Sequence, residues 1–218
     1  ISIYLPVLLI CVFISCSIQA QDAGLRIENS SGTVYLNIGS NAKLNVSAPG
    51  NKGGIRVESG GSIDNSRVMN PSAGTWINNG NGLVNGSTGS VQLDNSSTQP
   101  VQGSVPTVFY ELVVNNAAGV SLNKDVQVTH ALVLTSGDLS IGAYTLTVNG
   151  AITGPGTLTG SAASNLVIGG AAGTINFTQT SAATRSLNNL SFNAGSSAVL
   201  GNALDVYGTI TLNAASLD

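Results

Sequence analysis

Along this chain, apolar and polar residues alternate in short bursts. In "VQVT" (126–129), "LVLT" (132–135), "LSI" (139–141) and "TLTVNG" (145–150), aliphatic residues take every second position, and apart from Val133 the residues between them are Gln, Ser or Thr. Successive side chains of a strand point to opposite faces. Val126/Val128, Leu132/Leu134, Leu139/Ile141 and Leu146/Val148 therefore each present an apolar pair to one side. The pattern recurs in "TVYLNI" (33–38), "KLNV" (43–46), "IRVES" (55–59), "SVQLD" (90–94), "YELVVN" (110–115), "VSLN" (120–123), "NLVIG" (165–169), "TINFT" (174–178), "LSFNA" (190–194) and "ITLNA" (210–214). Gly, Asn, Asp or Ser bounds these runs and marks turns. No helical period is sustained after Ala20.

The spacing decides the architecture. In the densest stretch the apolar pairs follow one another every six to eight residues, too close for helical crossovers. Three such strands use roughly 20 residues, the size of one coil of a β-solenoid. No single coil can bury its apolar side alone, so stacking creates the core. The sequence thus predicts an all-β, parallel, β-helix-like solenoid with short strands. Asn115, Asn123, Asn149, Asn193 and Asn213 close strands and are expected at coil corners, in the left-handed conformation or in amide ladders. The alternative is a tandem β-sandwich, whose turns come every 8–12 residues. The tighter spacing, the scarcity of outward charge and the lack of a cysteine pair around the lone Trp76 argue against it.

A longer period also stands out. Residues 111–140 align without a gap on 189–218, an offset of 78 (190 − 112), with Leu112, Asn115, Leu122, Val128, Leu134 and Leu139 repeated identically. Val114 meets Phe192, and Val126 meets Leu204. This predicts a repeat of three or four coils. No polar cap follows Leu217, although an open solenoid end normally carries one, so further domains are expected beyond Asp218.

The start of the chain differs from the rest. "ISIYLPVLLICVFISCSIQA" (1–20) is apolar, uncharged and ends in a small residue, as the core and cleavage region of a secretory signal peptide do. It contains Pro6 and is barely long enough to span a bilayer. With no initiator Met and no basic start, the chain is expected to begin inside that signal. Cys16 follows "FIS", a loose match to a lipid-attachment box, so a lipid anchor there is the alternative. Both cysteines, Cys11 and Cys16, lie in this segment, which leaves no disulfide, thiol nucleophile or cysteine metal site downstream. The expected organisation is a signal peptide over 1–20, a Gly/Asn-rich solenoid region over 21–108, and a solenoid with the long repeat over 109–218.

Composition narrows the function. Charged residues make up 8% of the chain, against about a quarter in typical domains. Its seven Lys and Arg are scattered and the net charge is −3, which excludes a nucleic-acid footprint. β-Helices also carry polysaccharide-cleaving enzymes, and those need carboxylates at working distance. Asp125 and Asp138 each lie beside Gly, Lys or Ser and read as turn residues. His130 is the sole histidine; with no matched nucleophile it reads as a solvated turn residue. "GGSIDN" (60–65) is a single copy of a calcium-type motif that requires tandem copies. "GAITGPG" (150–156) lacks the lysine of a phosphate loop. The "NSS" sequons (29–31 and 95–97) arise easily in so Ser/Asn-rich a chain. Trp76, Phe109 and Tyr110 read as packing residues, the alternative being a platform for sugar rings. No catalytic, cofactor-binding or metal site is expected.

The segment "VQGSVPTVFYELVVNNAAGVSLNKDVQVTHALVLTSGDLSIGAYTLTVNGAITG" (101–154) resembles the repeat of large secreted surface proteins of the Bacteroidetes. The residues that carry the likeness are Gln102 and Gly103, Phe109 and Leu112, Asn115 and Asn116, Gly119 to Leu122, and Leu132, Leu134 and Gly137. "GGIRVESGGSIDNSRV" is similar to the Gly-rich strands that precede that repeat. The resemblance implies export by the general secretory route and then commonly by the type IX system, in a stalk, adhesin or carrier of other domains. The expected function is a non-enzymatic structural or adhesive segment at the outer cell surface, its partners a surface polysaccharide or an extracellular protein. A carbohydrate-active β-helix enzyme and a lipid-anchored surface binding protein are the alternatives. Contact with a membrane is expected only through the signal peptide or Cys16.

Overall fold

The computed structural model describes residues 76–79 and 89–218, together with the strand segments 25–27, 34–38, 44–45, 55–57, 61–65 and 68–70. The apolar leader 1–20 with Cys11 and Cys16, and the sequon at 29–31, lie outside the described residues.

The fold is a parallel β-solenoid of about six turns, with no helix among the described residues. Parallel strands cannot be joined by a two-residue hairpin; here the rest of each coil makes the return. One face stacks Leu44–Asn45, Val68–Asn70, Ser90–Leu93, Thr107–Asn115, Val126–Ser136, Thr145–Val148, Asn165–Ile168, Asn189–Phe192 and Ile210–Leu212 in that order. A second stacks Leu25–Ile27, Ile55–Val57, Trp76–Asn78, Gln99–Gly103, Val120–Leu122, Asp138–Ser140 and Thr157–Thr159. A shorter third face stacks Ala171–Ile175, Ser197–Leu200 and Ser216–Leu217.

The register gives the coil length. Leu112 faces Leu132 and Leu132 faces Ile152, a step of 20 each time (132 − 112, 152 − 132). Leu166 faces Leu190, a step of 24 (190 − 166). That longer coil holds a loop tied to itself: the Thr184 hydroxyl donates to the Thr178 carbonyl at 3.0 Å, and the Ser181 N–H donates to the Thr184 hydroxyl at 3.1 Å. An insertion that satisfies its own polar groups leaves the ladders on either side intact.

The alternating apolar pairs build the core. Phe109, Val128, Val148, Ile168 and Phe192 stand on one another through successive coils, and all five are fully buried. Leu212 continues that column in the last coil described and is half exposed. Ile210, two residues earlier on the same strand, is half exposed as well. Val199 is exposed because it alternates with the buried Ala198, which faces Leu217. Tyr207, next to the inward-packed Val206, is also exposed. The parallel column below Ile210 runs through Leu190, Leu166, Leu146 and Val126 to Thr107. The buried Thr107 hydroxyl accepts a 3.3 Å bond from Trp76 Nε1, so this polar member costs little.

The two stretches that align at an offset of 78 do not stack in that phase. Leu112 lies between Val91 and Leu132, whereas Leu190 belongs to the column that descends to Thr107. Four coils of unequal length separate Thr107 from Leu190, by way of Val126, Leu146 and Leu166. The structural repeat is the single coil, and the doubled stretch is its apolar pattern met at two different phases.

Two other expectations need correction. The runs 126–129 and 132–135 are one strand, Val126–Ser136, with a register slip in place of a turn: Phe109 faces Val128, but Glu111 faces Ala131. His130 therefore lies within a strand. The corner asparagines do not take the left-handed conformation either. Among the described residues, the only non-glycine with positive φ is Ala214. Asn149, Asn193 and Asn213 stay in the ladder, their N–H groups donating to the carbonyls of Val128, Ile168 and Phe192. Glycine takes the sharp corners because it has no Cβ to clash. At Gly137 φ is +74°, and a Cβ would sit 1.9 Å from the Asn116 carbonyl oxygen.

Candidate functional site

The carboxylates singled out in the sequence serve the neighbouring coils. Asp125 is exposed, and its Oδ1 accepts the Thr145 N–H at 2.9 Å, one coil along. Asp138 opens the strand Asp138–Ser140 and is half-buried on the second face. Its Oδ1 accepts the Thr157 hydroxyl at 2.6 Å, and its Oδ2 accepts the Thr178 hydroxyl at 3.1 Å. Thr157 and Thr159 also lie 2.6 and 2.9 Å from the Thr178 hydroxyl. One carboxylate and three hydroxyls thus form a closed network over three coils. Asp125 and Asp138 are each occupied separately. An acid/base pair needs two carboxylates flanking one reacting bond, and the partners of these two are different threonines on different faces.

Polar ladders recur at other corners. Asn189 Nδ2 donates to Asn165 Oδ1 at 2.8 Å, and Asn189 Oδ1 accepts the Thr209 N–H at 3.0 Å. These are amide ladders of the expected kind, formed at strand starts instead of strand ends. Asn116 is fully buried; its Nδ2 donates to the Ser97 carbonyl at 2.8 Å and to Gln99 Oε1 at 3.2 Å, while its Oδ1 accepts the Ala118 N–H at 2.9 Å. Arg185 Nε lies 3.1 Å from Asp205 Oδ2 between adjacent coils, both side chains partly exposed. Such a pair contributes no more than about 1 kcal/mol.

The aromatic residues divide into two pairs. Trp76 and Phe109 are fully buried and meet edge to face, with centroids 5.2 Å apart, so they are core. Tyr110 and His130 stack on the outside, centroids 4.6 Å apart and planes 13° from parallel. In the sequence the two look unrelated. The signal linking them is their separation of one coil, the same step that joins Leu112 to Leu132, and it gains meaning only once the coil length is known.

"GSIDN" of the calcium-like motif forms the strand Gly61–Asn65, paired in parallel with Val34–Ile38. The second sequon, Asn95 to Ser97, lies at a bend where the Asn95 N–H donates to Gln99 Oε1 at 2.8 Å. Among the described residues no three His, Cys, Asp or Glu side chains come together as a metal site would require. Among them, too, no helix is long and apolar enough to cross a membrane. No protein-family model matches the chain, and no curated protein or solved structure matches it either.

Proposed function

We propose that this chain is a non-enzymatic structural or adhesive segment of a secreted bacterial protein displayed at the cell surface. One observation carries the reading: the two carboxylates singled out in the sequence are committed to the adjacent coils, Asp125 to the Thr145 N–H and Asp138 to the Thr157 and Thr178 hydroxyls. A scaffold needs that arrangement; a hydrolase needs the same groups turned toward a substrate. The seven strands from Ser90–Leu93 to Ile210–Leu212, at roughly 4.8 Å per step, give a rod section roughly 30 Å long. Its mechanism is geometric: stacked coils hold an exposed surface away from the cell.

The apolar leader supports export, and the likeness to Bacteroidetes surface repeats supports display through the type IX route, with a surface polysaccharide or an extracellular protein as partner. The test is to express the epitope-tagged chain in a Bacteroidetes host and add protease to intact cells. Loss of the tag from intact cells is the expected result. A tag that stays protected until lysis contradicts surface display. Metabolic lipid labelling that vanishes on Cys16→Ser would replace free secretion with a lipid anchor. Polysaccharide cleavage abolished by Asp138→Asn would replace the scaffold with an enzyme.

A further inference from the structure

We propose that the stacked pair Tyr110 and His130 is a carbohydrate platform that takes the apolar face of a neutral pyranose ring. The inference rests on the adhesive form of the function proposed above and gives it a ligand class.

The platform exists because the ladder slips. Phe109 faces Val128 and Glu111 faces Ala131, so the strand Val126–Ser136 carries one extra residue opposite Tyr110. Bulges of this kind re-aim side chains. Here they break the strict in-and-out alternation: Tyr110 and Glu111 are both partly exposed, and Thr129 and His130 are both exposed. The Thr129 hydroxyl donates to the Phe109 carbonyl at 3.3 Å and holds the slipped backbone. The two rings then meet nearly parallel, 4.6 Å apart.

The coils beyond His130 leave its ring uncovered. Ala131 faces Ala151, which puts Gly150 next in line after His130. A Cβ at Gly150 would lie 1.6 Å from the His130 carbonyl oxygen, so a glycine is required there and no side chain can rise over the imidazole from that position. Gly170 follows, where a Cβ would lie 2.0 Å from the Asn149 carbonyl oxygen. One face of His130 rests on Tyr110, and the other looks along a step floored by glycine. A flat ring fits that step. The C–H face of a pyranose is apolar and meets the electron-rich face of an aromatic ring, while its hydroxyls stay in water. The partly exposed carboxylate of Glu111 sits beside Tyr110 in sequence and can accept from a sugar hydroxyl. With a net charge of −3 and seven scattered Lys and Arg, the chain favours a neutral sugar over an anionic one.

His130 is the sole histidine of the 218-residue chain, so its ring protons give an isolated NMR signal. The chain is titrated with cellohexaose, chitohexaose and maltohexaose in turn. At least one should move the His130 ring signals saturably, with a dissociation constant on the order of 1 mM. Tyr110→Ala and His130→Ala should each weaken that binding about tenfold or more, while His130→Phe, which keeps a flat ring, and the distant Tyr207→Ala should retain it. His130 is exposed, so His130→Ala serves as the decisive variant if Tyr110→Ala unfolds. Absence of a shift with all three sugars, or binding that survives His130→Ala, overturns the inference. Either result with surface display intact removes the ligand and leaves the scaffold standing.

Discussion

The Asp138 carboxylate accepts the Thr157 hydroxyl at 2.6 Å across adjacent coils, at positions that face each other in the parallel ladder. The same carboxylate takes the Thr178 hydroxyl from a further coil. A residue that reads as a turn aspartate in the sequence is therefore a clamp between coils. Asp138→Ala is expected to destabilise the fold by about 1–3 kcal/mol, because it strips the Thr157, Thr178 and, at 3.4 Å, Thr159 hydroxyls of a charged acceptor. Asp138→Asn should recover part of that loss. Urea titration followed by circular dichroism measures both, and an unchanged midpoint for Asp138→Ala would refute the clamp.

Phe192 and Leu212 occupy the same core column on successive coils, yet one is fully buried and the other half exposed. Phe192→Ala should cost about 3–5 kcal/mol, and Leu212→Ala less than about 1 kcal/mol. Equal costs would mean that the coil ending at Asp218 is covered as the others are.

Two glycines separate conformation from space. Gly137 and Gly195 have nearly the same φ, +74° and +77°, but only Gly137 has a backbone oxygen where a Cβ would go; Gly195 has nothing within 4 Å. Gly195→Ala should cost about 1 kcal/mol from backbone strain alone. Gly137→Ala should cost several times more, with loss of the folded state as the extreme. Thermal unfolding of both variants decides it, and similar Tm values would show that the corner can relax.

Much of this fold was legible and some was not, for definable reasons. Leu132/Leu134 and Leu146/Val148 announced their strands because side-chain alternation depends only on local sequence. The strand Gln99–Gly103 shows no such aliphatic alternation, and its Pro100 argues against a ladder. It is tolerated there because the Gln99 N–H donates to the Gly119 carbonyl on one side, which turns the nitrogen of Pro100 to the other, where pairing with Trp76–Asn78 begins only at Val101. The long alignment of 111–140 on 189–218 misled because unequal coils, with steps of 20 (152 − 132) and 24 (190 − 166), shift the phase that an ungapped comparison assumes. The Tyr110–His130 stack and the Asp138 clamp were invisible for the same reason: each joins residues about one coil apart, and only the register says which.

Trp76 is the only tryptophan and is fully buried against Phe109, with its Nε1 on Thr107. Its emission should be blue-shifted in the folded chain and should move to the red in a single step on unfolding. Trp76→Phe should remove about 1–2 kcal/mol by leaving the Thr107 hydroxyl without its donor. Emission at the wavelength of a water-exposed indole before denaturation would contradict this core.

The stacking register is the claim on which the rest depends, and disulfide trapping tests it directly. Gln127 and Thr147 face each other on adjacent coils, at positions that alternate with the buried residues. Neighbouring strands lie roughly 4.8 Å apart, within the reach of a disulfide. With Cys11→Ser and Cys16→Ser in place, the pair Gln127→Cys and Thr147→Cys should cross-link under mild oxidation. The pair Gln127→Cys and Asp205→Cys, related by the offset of 78 (205 − 127), should not. Cross-linking of the second pair in place of the first would contradict the solenoid register described here.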